Sequence, residues 1–215
     1  MKELLLHACC GPCSTHCVRA LRAAGREPVL FYSNSNIDTR EEWEKRLDSL
    51  RKFAAAEGVR VVVDPWDGAA WEREVAAGFE GEKEGGARCD RCFRHNLQKA
   101  AGAANALGIE SFSTTLTVSP HKSSAKVFAA GFAAEKEVAG RVARQTGGGD
   151  GDGGAGGGAK SAVFEPVDFK KKDGFRDSVA IAREFGLYRQ NYCGCRFSKA
   201  AAEARAATRK KDSEG

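Results

Sequence analysis

The stretch Leu4-Leu5-Leu6-His7-Ala8-Cys9-Cys10-Gly11-Pro12-Cys13-Ser14 decides the fold of this chain. It begins as a short apolar run, typical of a buried strand, and the run stops at two cysteines and a Gly-Pro pair that break regular structure. A helix is predicted to open next, with Ser14 or Thr15 as its N-cap. The thiols therefore lie in a strand-to-helix turn, where an open α/β sheet binds ligands and where the helix N-terminus favours thiolate charge.

The next segments repeat the alternation of strand and helix. Strands are predicted at residues 27–32 and 59–64, and a helix runs between them from about Thr39 until Gly58 stops it. Strand, helix, strand, helix and strand in succession predict a parallel sheet covered by helices. The later elements, by the same criteria, are helices at 66–79, 93–106, 124–143 and 176–185, and strands at 111–118 and 162–167.

The 215 residues suit one α/β catalytic domain, which we place at residues 1–198. Residues 147–159 hold nine glycines and no apolar anchor, and they are predicted to be a disordered loop. They lack the Lys-Ser/Thr ending of a phosphate-binding loop. Residues 199–215 are charged and rich in alanine, which predicts a frayed helical tail ending in disorder.

Composition narrows the class of protein. No apolar run approaches the roughly 20 residues of a membrane span, and the start of the chain lacks a signal-peptide pattern, so a cytoplasmic protein without a membrane partner is expected. Eight cysteines in a reducing compartment indicate metal or redox chemistry rather than a disulfide framework. The net charge of +5 fits a polyanionic partner but does not demand one.

Six of the cysteines fall in close sets, which are Cys9-Cys10, Cys89-x-x-Cys92 and Cys193-x-Cys195. The first two sets supply four thiolates, which by count suit tetrahedral zinc and an iron–sulfur cluster equally. Adjacent cysteines leaving a parallel strand do not resemble a zinc ribbon, and neighbours can bind different corners of a cubane. Together with the resemblance described below, this favours a [4Fe–4S] cluster. Cys17, on a helix, is expected to be a small buried apolar residue.

The third set has a different chemistry. One residue between two thiols gives a small, strained disulfide ring, and strained disulfides are labile and redox-active. Gly194 relieves the backbone for ring closure. The alternative is that Cys193 and Cys195 are two further metal ligands.

Six motifs, in order, resemble the QueH-type epoxyqueuosine reductases, the cobalamin-independent enzymes that finish queuosine in tRNA. They are Leu-His-Ala-Cys-Cys-Gly-Pro-Cys-Ser (6–14), Phe-Tyr-Ser-Asn-Ser-Asn-Ile (31–37), Glu-Gly-Gly-Ala-Arg-Cys-Asp-Arg-Cys-Phe (84–93), Thr-Thr-Leu-Thr-Val-Ser-Pro-His-Lys (114–122), Asp-Phe-Lys-Lys-Lys-Asp-Gly (168–174) and Tyr-Arg-Gln-Asn-Tyr-Cys-Gly-Cys-Arg-Phe-Ser (188–198). The chain departs from the family at residues 33–35, where an Asn-Pro step is usual, and in the glycine run.

The resemblance implies a sandwich fold of the nucleotide-hydrolase-like (HUP) type and a substrate tRNA that carries epoxyqueuosine. It implies a [4Fe–4S] cluster and a redox-active pair. It also implies a second metal ion, expected to be iron, with Cys13 as its candidate ligand and a thiol of Cys193 or Cys195 as a candidate for another. At the matching positions of this sequence, the implied cluster ligands are Cys9, Cys10, Cys89 and Cys92, and the implied redox pair is Cys193 and Cys195.

The reaction implied for the family removes an epoxide oxygen as water and leaves an alkene, which needs two electrons and two protons from an unidentified donor. Because a cluster passes one electron at a time, the dithiol or the second metal is expected to store the other. His121 is a candidate proton donor, with a solvated histidine as the alternative. His7 is expected to be buried and structural, or else to hydrogen-bond a cluster sulfur.

Basic and aromatic residues within the motifs are candidates for contact with an anticodon loop, through phosphates and base stacking. They are Lys122, Lys170, Lys171, Lys172, Arg176, Arg189, Arg196, Tyr188 and Tyr192. Two other functions stay open. One is a zinc-stabilised RNA-binding module without catalysis, and the other is a thiol–disulfide oxidoreductase that uses Cys193 and Cys195 on proteins.

Overall fold

A parallel sheet of five strands, in the order β3–β2–β1–β4–β5, forms the centre of the part of the chain that the structure describes. The structure is a computed structural model, and it describes residues 1–146 and 161–214. The strands are β1 (Lys2–His7), β2 (Arg26–Tyr32), β3 (Val61–Val63), β4 (Ser111–Thr114) and β5 (Val163–Phe164). The glycine-rich segment predicted to be a disordered loop lies outside these residues.

The helices within 1–146 and 161–214 connect and cover the strands. They are α1 (Gly11–Ala23), α2 (Arg40–Glu57), α3 (Gly68–Trp71), α4 (Ala87–Ala106), α5 (Ser124–Thr146), α6 (Gly174–Glu184) and α7 (Arg196–Glu214). A π-helical turn over Glu72–Ala76 continues α3, and a 3₁₀ turn over Thr115–Val118 follows β4. None of the described helices has both the length and the apolar character needed to cross a membrane.

Each face of the sheet carries its own apolar core. Leu4 and Leu6 of β1 pack into a cluster with α1 and α2, whereas Leu5 packs into a second cluster with α4 and α5. Alternate side chains of a strand point to opposite faces, so a strand covered on both sides must be apolar throughout. The expectation of an α/β fold with a helix-covered parallel sheet is confirmed.

The order of the strands places a crevice beside β1. The chain moves outward from β1 to β2 and β3, and then returns to the other side of β1 with β4 and β5. At such a reversal the connections on neighbouring strands leave in opposite directions, which opens a crevice at the carboxyl ends of the strands. His7 pairs with Thr114 at these ends, so the residues that follow β1 and β4 meet there.

Helix α1 begins three residues before the predicted N-cap. Its N-cap is Cys10, whose Sγ accepts a hydrogen bond from the Cys13 N–H at 3.3 Å. Gly11 and Pro12 form the first turn. Proline is accommodated there because first-turn N–H groups have no partner within the helix. The prediction that the Gly-Pro pair breaks regular structure before a helix capped by Ser14 or Thr15 is wrong, because both residues belong to α1.

Other boundaries also differ from those predicted. Helix α4 begins at Ala87 rather than near Phe93, so the second cysteine pair lies in its first turns. Strand β4 ends at Thr114, since the Thr114 hydroxyl accepts the Leu116 N–H at 3.1 Å and caps the 3₁₀ turn. The C-terminal segment, predicted as a frayed helical tail over residues 199–215, is part of a helix that begins earlier, at Arg196, and runs to Glu214.

Candidate functional site

Three thiols form a compact group directly after β1. The Sγ atoms of Cys9, Cys10 and Cys13 all lie within 4.8 Å of one another, and those of Cys9 and Cys10 are 4.0 Å apart. Thr115, which follows β4, accepts the Cys9 N–H at 3.1 Å and lies 3.3 Å from Cys9 Sγ. We call Cys9, Cys10 and Cys13 the first thiol group, and the turns after two adjacent strands hold it.

The other predicted cysteines line one cavity beside α4. We call this set, made of Cys89, Cys92, Cys193 and Cys195, the second thiol group. The Gly85 N–H lies 3.2 Å from Cys89 Sγ, and the Asn96 amide lies 4.0 Å from Cys92 Sγ. The structure thus divides the four predicted cluster ligands between two groups, and it places the predicted redox pair beside Cys89 and Cys92.

Lys122 links the two thiol groups electrostatically. Its side chain is half-buried, and burial alone would lower its pKa, but the charges on Cys193 and on the thiols of the first group raise the pKa instead. The Lys170 ammonium donates to the Lys122 carbonyl at 2.6 Å and fixes this loop. The phosphate contacts predicted for Lys122 and Lys170 stay a prediction.

The thiols differ in their tendency to ionise. Hydrogen bonds from the Cys13 and Cys9 thiols lower the pKa of Cys10, and the same contact with Cys10 raises the pKa of Cys13. Burial raises the pKa of Cys92 and of Cys89. Several buried thiols at close quarters cannot all be charged without a cation, which is the condition that a bound metal supplies.

The donor set fits a thiophilic metal group. Two thiolates on one ion, with metal–sulfur bonds of about 2.3 Å in tetrahedral geometry, lie roughly 3.8 Å apart. The Cys9–Cys10 separation of 4.0 Å is close to that value. All eight cysteines are free, so the predicted disulfide between Cys193 and Cys195 is not present and the turn is in its dithiol form.

His7 has a structural role at the bottom of the site. Its side chain is fully buried, its Nε2 pairs with the Ser33 carbonyl at 3.1 Å, and its Nδ1 pairs with the Thr114 hydroxyl at 2.9 Å. Burial lowers the pKa of His7, which favours the neutral ring. Both ring nitrogens are therefore occupied by protein partners. His121 lies in the exposed loop after the 3₁₀ turn, next to Lys122.

Two of the predicted RNA-contacting arginines are engaged in ion pairs. Arg176 pairs with Asp173 at 2.9 Å, and Arg196 pairs with Glu72 through two contacts of 3.0 Å. Lys171 and Lys172 are exposed and, among the described residues, have no ion pair. Arg189 is also exposed and stacks on the Phe175 ring at 5.4 Å.

The predicted stacking tyrosines are tied to helix α2. The Tyr188 hydroxyl donates to the Glu42 carboxylate at 3.0 Å, and the Tyr192 hydroxyl donates to Asp38 at 2.9 Å. Burial, and then the hydrogen bond to the carboxylate, raise the pKa of each phenol. A cation also lies over each ring, Lys45 at 4.4 Å from the centre of Tyr188 and Arg46 at 4.9 Å from the centre of Tyr192.

Arg46 is the site residue that the sequence reasoning missed. It is 1% exposed, and its Nη1 donates to the Cys193 carbonyl at 2.8 Å. A signal was available, because position 46 falls on the apolar face of α2 between Trp43 and Leu50, where a charged residue needs a buried partner.

The fold and the two thiol groups define an α/β protein with a thiol-based metal or redox site at the carboxyl ends of its strands. Comparison with known proteins agrees with this class. The family of "Epoxyqueuosine reductase QueH" matches residues 4–145 and 155–201, and the chain belongs to this family.

Two relatives with the name "Epoxyqueuosine reductase QueH" illustrate the similarity. The chain is 31% identical to the protein from Streptococcus pyogenes serotype M1 over 199 residues, which covers 90% of this chain and 69% of that protein. It is 30% identical to the protein from Thermotoga maritima over 200 residues, which covers 92% and 91% of the two chains.

A solved structure shares the fold. It is the U34-tRNA thiolase NcsA from Methanococcus maripaludis with its [4Fe–4S] cluster. The likeness has a TM-score of 0.51 and covers 98% of this chain and 67% of that chain. At 10% sequence identity it supports the architecture alone.

Proposed function

We propose that this chain reduces epoxyqueuosine to queuosine in the anticodon loop of tRNA, in the cytoplasm. The observation that carries the proposal is the pair of thiol groups, one directly after β1 and one on a cavity beside α4, in a chain of this family. The relatives are named for this activity. The sequence motifs of that family include the cysteines of both groups.

The proposed cofactor is a [4Fe–4S] cluster held by Cys9, Cys10, Cys89 and Cys92. A second metal ion, iron, would use Cys13. When bound, the cluster supplies electrons one at a time. The three close thiol donors and the lowered pKa of Cys10 support a metal at the first group, and the family match that includes Cys89 and Cys92 supports their part in the same centre.

Cys193 and Cys195 are proposed as the second electron store. Closing a dithiol to a disulfide releases two electrons and two protons, which is what conversion of an epoxide to an alkene and water consumes. Their place on the cavity with Cys89 and Cys92 supports this role. An external reductant must then restore the dithiol, and His121 is the proposed proton donor to the leaving oxygen.

The tRNA is proposed to bind through its phosphates to exposed cations near the site. Lys171, Lys172 and Arg189 are the predicted cations that remain exposed, and the first two are in the same motif as Lys170, which supports the Lys122 loop. Phosphate contacts supply affinity and position, while the reacting base must be presented to the thiol site.

A zinc-stabilised RNA-binding module is the second candidate, because the 4.0 Å Cys9–Cys10 separation suits a zinc ion as well. Protein purified without oxygen separates the two. Iron with a comparable amount of sulfide supports the reductase, and zinc without iron supports the module.

A double variant, Cys193→Ser with Cys195→Ser, then tests the roles. It should keep the iron but fail to convert epoxyqueuosine in tRNA. Loss of iron would make the pair structural ligands, and full turnover would leave the pair without a catalytic role. Cys17→Ser is the matched control, since the Cys17 thiol donates to the Cys13 carbonyl at 3.1 Å and belongs to neither thiol group.

A further inference from the structure

Three charged residues form a stripe along the start of helix α2. Asp38, Glu42 and Arg46 are spaced four residues apart, so they lie on one side of the helix and the turn that precedes it. Each contacts the segment that carries the dithiol. Asp38 accepts the Tyr192 hydroxyl, Glu42 accepts the Tyr188 hydroxyl, and Arg46 donates to the Cys193 carbonyl.

Arg46 is the most deeply buried member of this stripe. Its Nε donates to the Glu42 carboxylate at 2.7 Å, and its guanidinium carbon lies 4.9 Å from the centre of the Tyr192 ring. Its Nη2 has no hydrogen-bond partner among the described residues. A buried charge with an unsatisfied N–H costs free energy, so packing alone does not account for an arginine here.

The backbone of the Cys193-Gly194-Cys195 turn is held against the same stripe. The Asp38 N–H donates to the Gly194 carbonyl at 3.0 Å. Gly194 has a φ of +148°, and a Cβ there would lie 2.8 Å from the Asn36 amide nitrogen and 3.3 Å from Arg46 Nη1. The turn therefore lies close against α2, and its two cysteines line the cavity of the second thiol group.

We propose that Arg46 is a positioning residue that holds this turn in its open dithiol form. Two cysteines one residue apart can join only if the intervening backbone tightens into a small ring. The hydrogen bond from Arg46 fixes the Cys193 carbonyl within that backbone, and it is made in the dithiol state seen here. The use of this effect in turnover rests on the proposed function, but the positioning itself does not.

The test is the thiol–disulfide equilibrium of the turn in the metal-loaded protein. The protein is held without oxygen in buffers of reduced and oxidised glutathione, and trapping by alkylation followed by mass spectrometry counts the dithiol and the disulfide. Closing one disulfide reduces one glutathione disulfide to two glutathione molecules, so electrons and protons balance. Arg46→Met should shift this equilibrium about tenfold toward the disulfide, or about 30 mV for a two-electron couple.

Two further variants sharpen the result. Arg46→Lys keeps the charge but loses the forked donors, so it should shift the equilibrium less than Arg46→Met. Arg40→Met is the matched control, because Arg40 pairs with Glu44 at the same four-residue spacing on α2 but its side chain is 60% exposed. This control should leave the equilibrium unchanged.

An equilibrium equal to that of the unmodified protein in Arg46→Met, or a shift toward the dithiol, would overturn the proposal. If Arg46→Met does not fold, Arg46→Lys is the test variant. A thiol–disulfide equilibrium in Arg46→Lys equal to that of the unmodified protein would then overturn the proposal. The measurement counts thiols and not turnover. Failure of the metal-loaded protein to convert epoxyqueuosine would therefore refute the proposed function while leaving this inference standing, and normal turnover of the Cys193→Ser, Cys195→Ser variant would remove only the catalytic role of the pair.

Discussion

Replacing Gly11 by alanine tests how the first thiol group is built. Gly11 is the first residue of α1 and follows Cys10 directly. A Cβ at this position would lie 2.8 Å from the main-chain carbon and oxygen of Ser49 and 2.8 Å from its hydroxyl. Because two of these atoms belong to the backbone of α2, a side-chain rotation cannot relieve the clash and one helix must move.

The expected cost follows from this overlap. Forcing a methyl group into a packed site costs typically 1–3 kcal/mol. For a chain of about 150–250 residues, each kcal/mol lowers the melting temperature by roughly 2–4 °C. A cost near the middle of the range, about 2 kcal/mol, corresponds to a loss of roughly 4–8 °C. Movement of α1 also displaces Cys10 and Cys13, so the iron content should fall with the melting temperature.

Thermal unfolding followed by circular dichroism, together with an iron assay, measures both effects. Gly102→Ala is the control, because it lies inside α4 and a Cβ there meets no atom within 4 Å. Removing a glycine from a helix interior should stabilise the chain by up to about 1 kcal/mol. If Gly11→Ala melts no lower than the unmodified protein and binds as much iron, the close approach of α1 and α2 does not constrain the site.

Two further predictions concern the metal and the tRNA. Cys89→Ala should sharply reduce iron per chain, whereas Cys17→Ala should retain it, and equal iron in both would remove Cys89 from the ligands. Lys171→Ala and Lys172→Ala should each lower the slope of log affinity for tRNA against log salt concentration by about 0.7, the value expected per phosphate contact with a single strand. Lys2→Ala, at the opposite end of β1, is the control and should leave that slope unchanged. If Lys171→Ala and Lys172→Ala also leave the slope unchanged, the phosphate assignment is contradicted.

The sequence was sufficient for the sheet and for the family. An apolar run such as Leu4–Leu6 is typical of a parallel strand that is buried on both faces, and the cysteines that end the run then fall at the carboxyl ends of the strands. The boundaries next to the cysteines were less predictable. Hydroxyl residues are common N-caps and a thiol is not, so the sequence favours Ser14 or Thr15 as the N-cap of α1. The structure has Cys10 there.

Contacts between distant segments could not be read from local patterns. Cys193 and Cys195 lie with Cys89 and Cys92 because the start of α7 and the start of α4 border one cavity. The spacing of these cysteines along the chain does not predict that contact. Lys122 is a similar case. A lysine in a basic protein suggests phosphate, whereas its electrostatic interaction with the thiols of both groups depends on the fold.

The central claim is that this chain removes the epoxide oxygen from tRNA-borne epoxyqueuosine at its thiol site. The most direct measurement incubates oxygen-free, metal-loaded protein with epoxyqueuosine-containing tRNA and a chemical reductant, digests the tRNA and identifies the nucleosides by mass spectrometry. We predict that the epoxyqueuosine peak is replaced by queuosine, which is lighter by one oxygen atom. Persistence of epoxyqueuosine in a preparation with its full content of iron and sulfide would contradict the account.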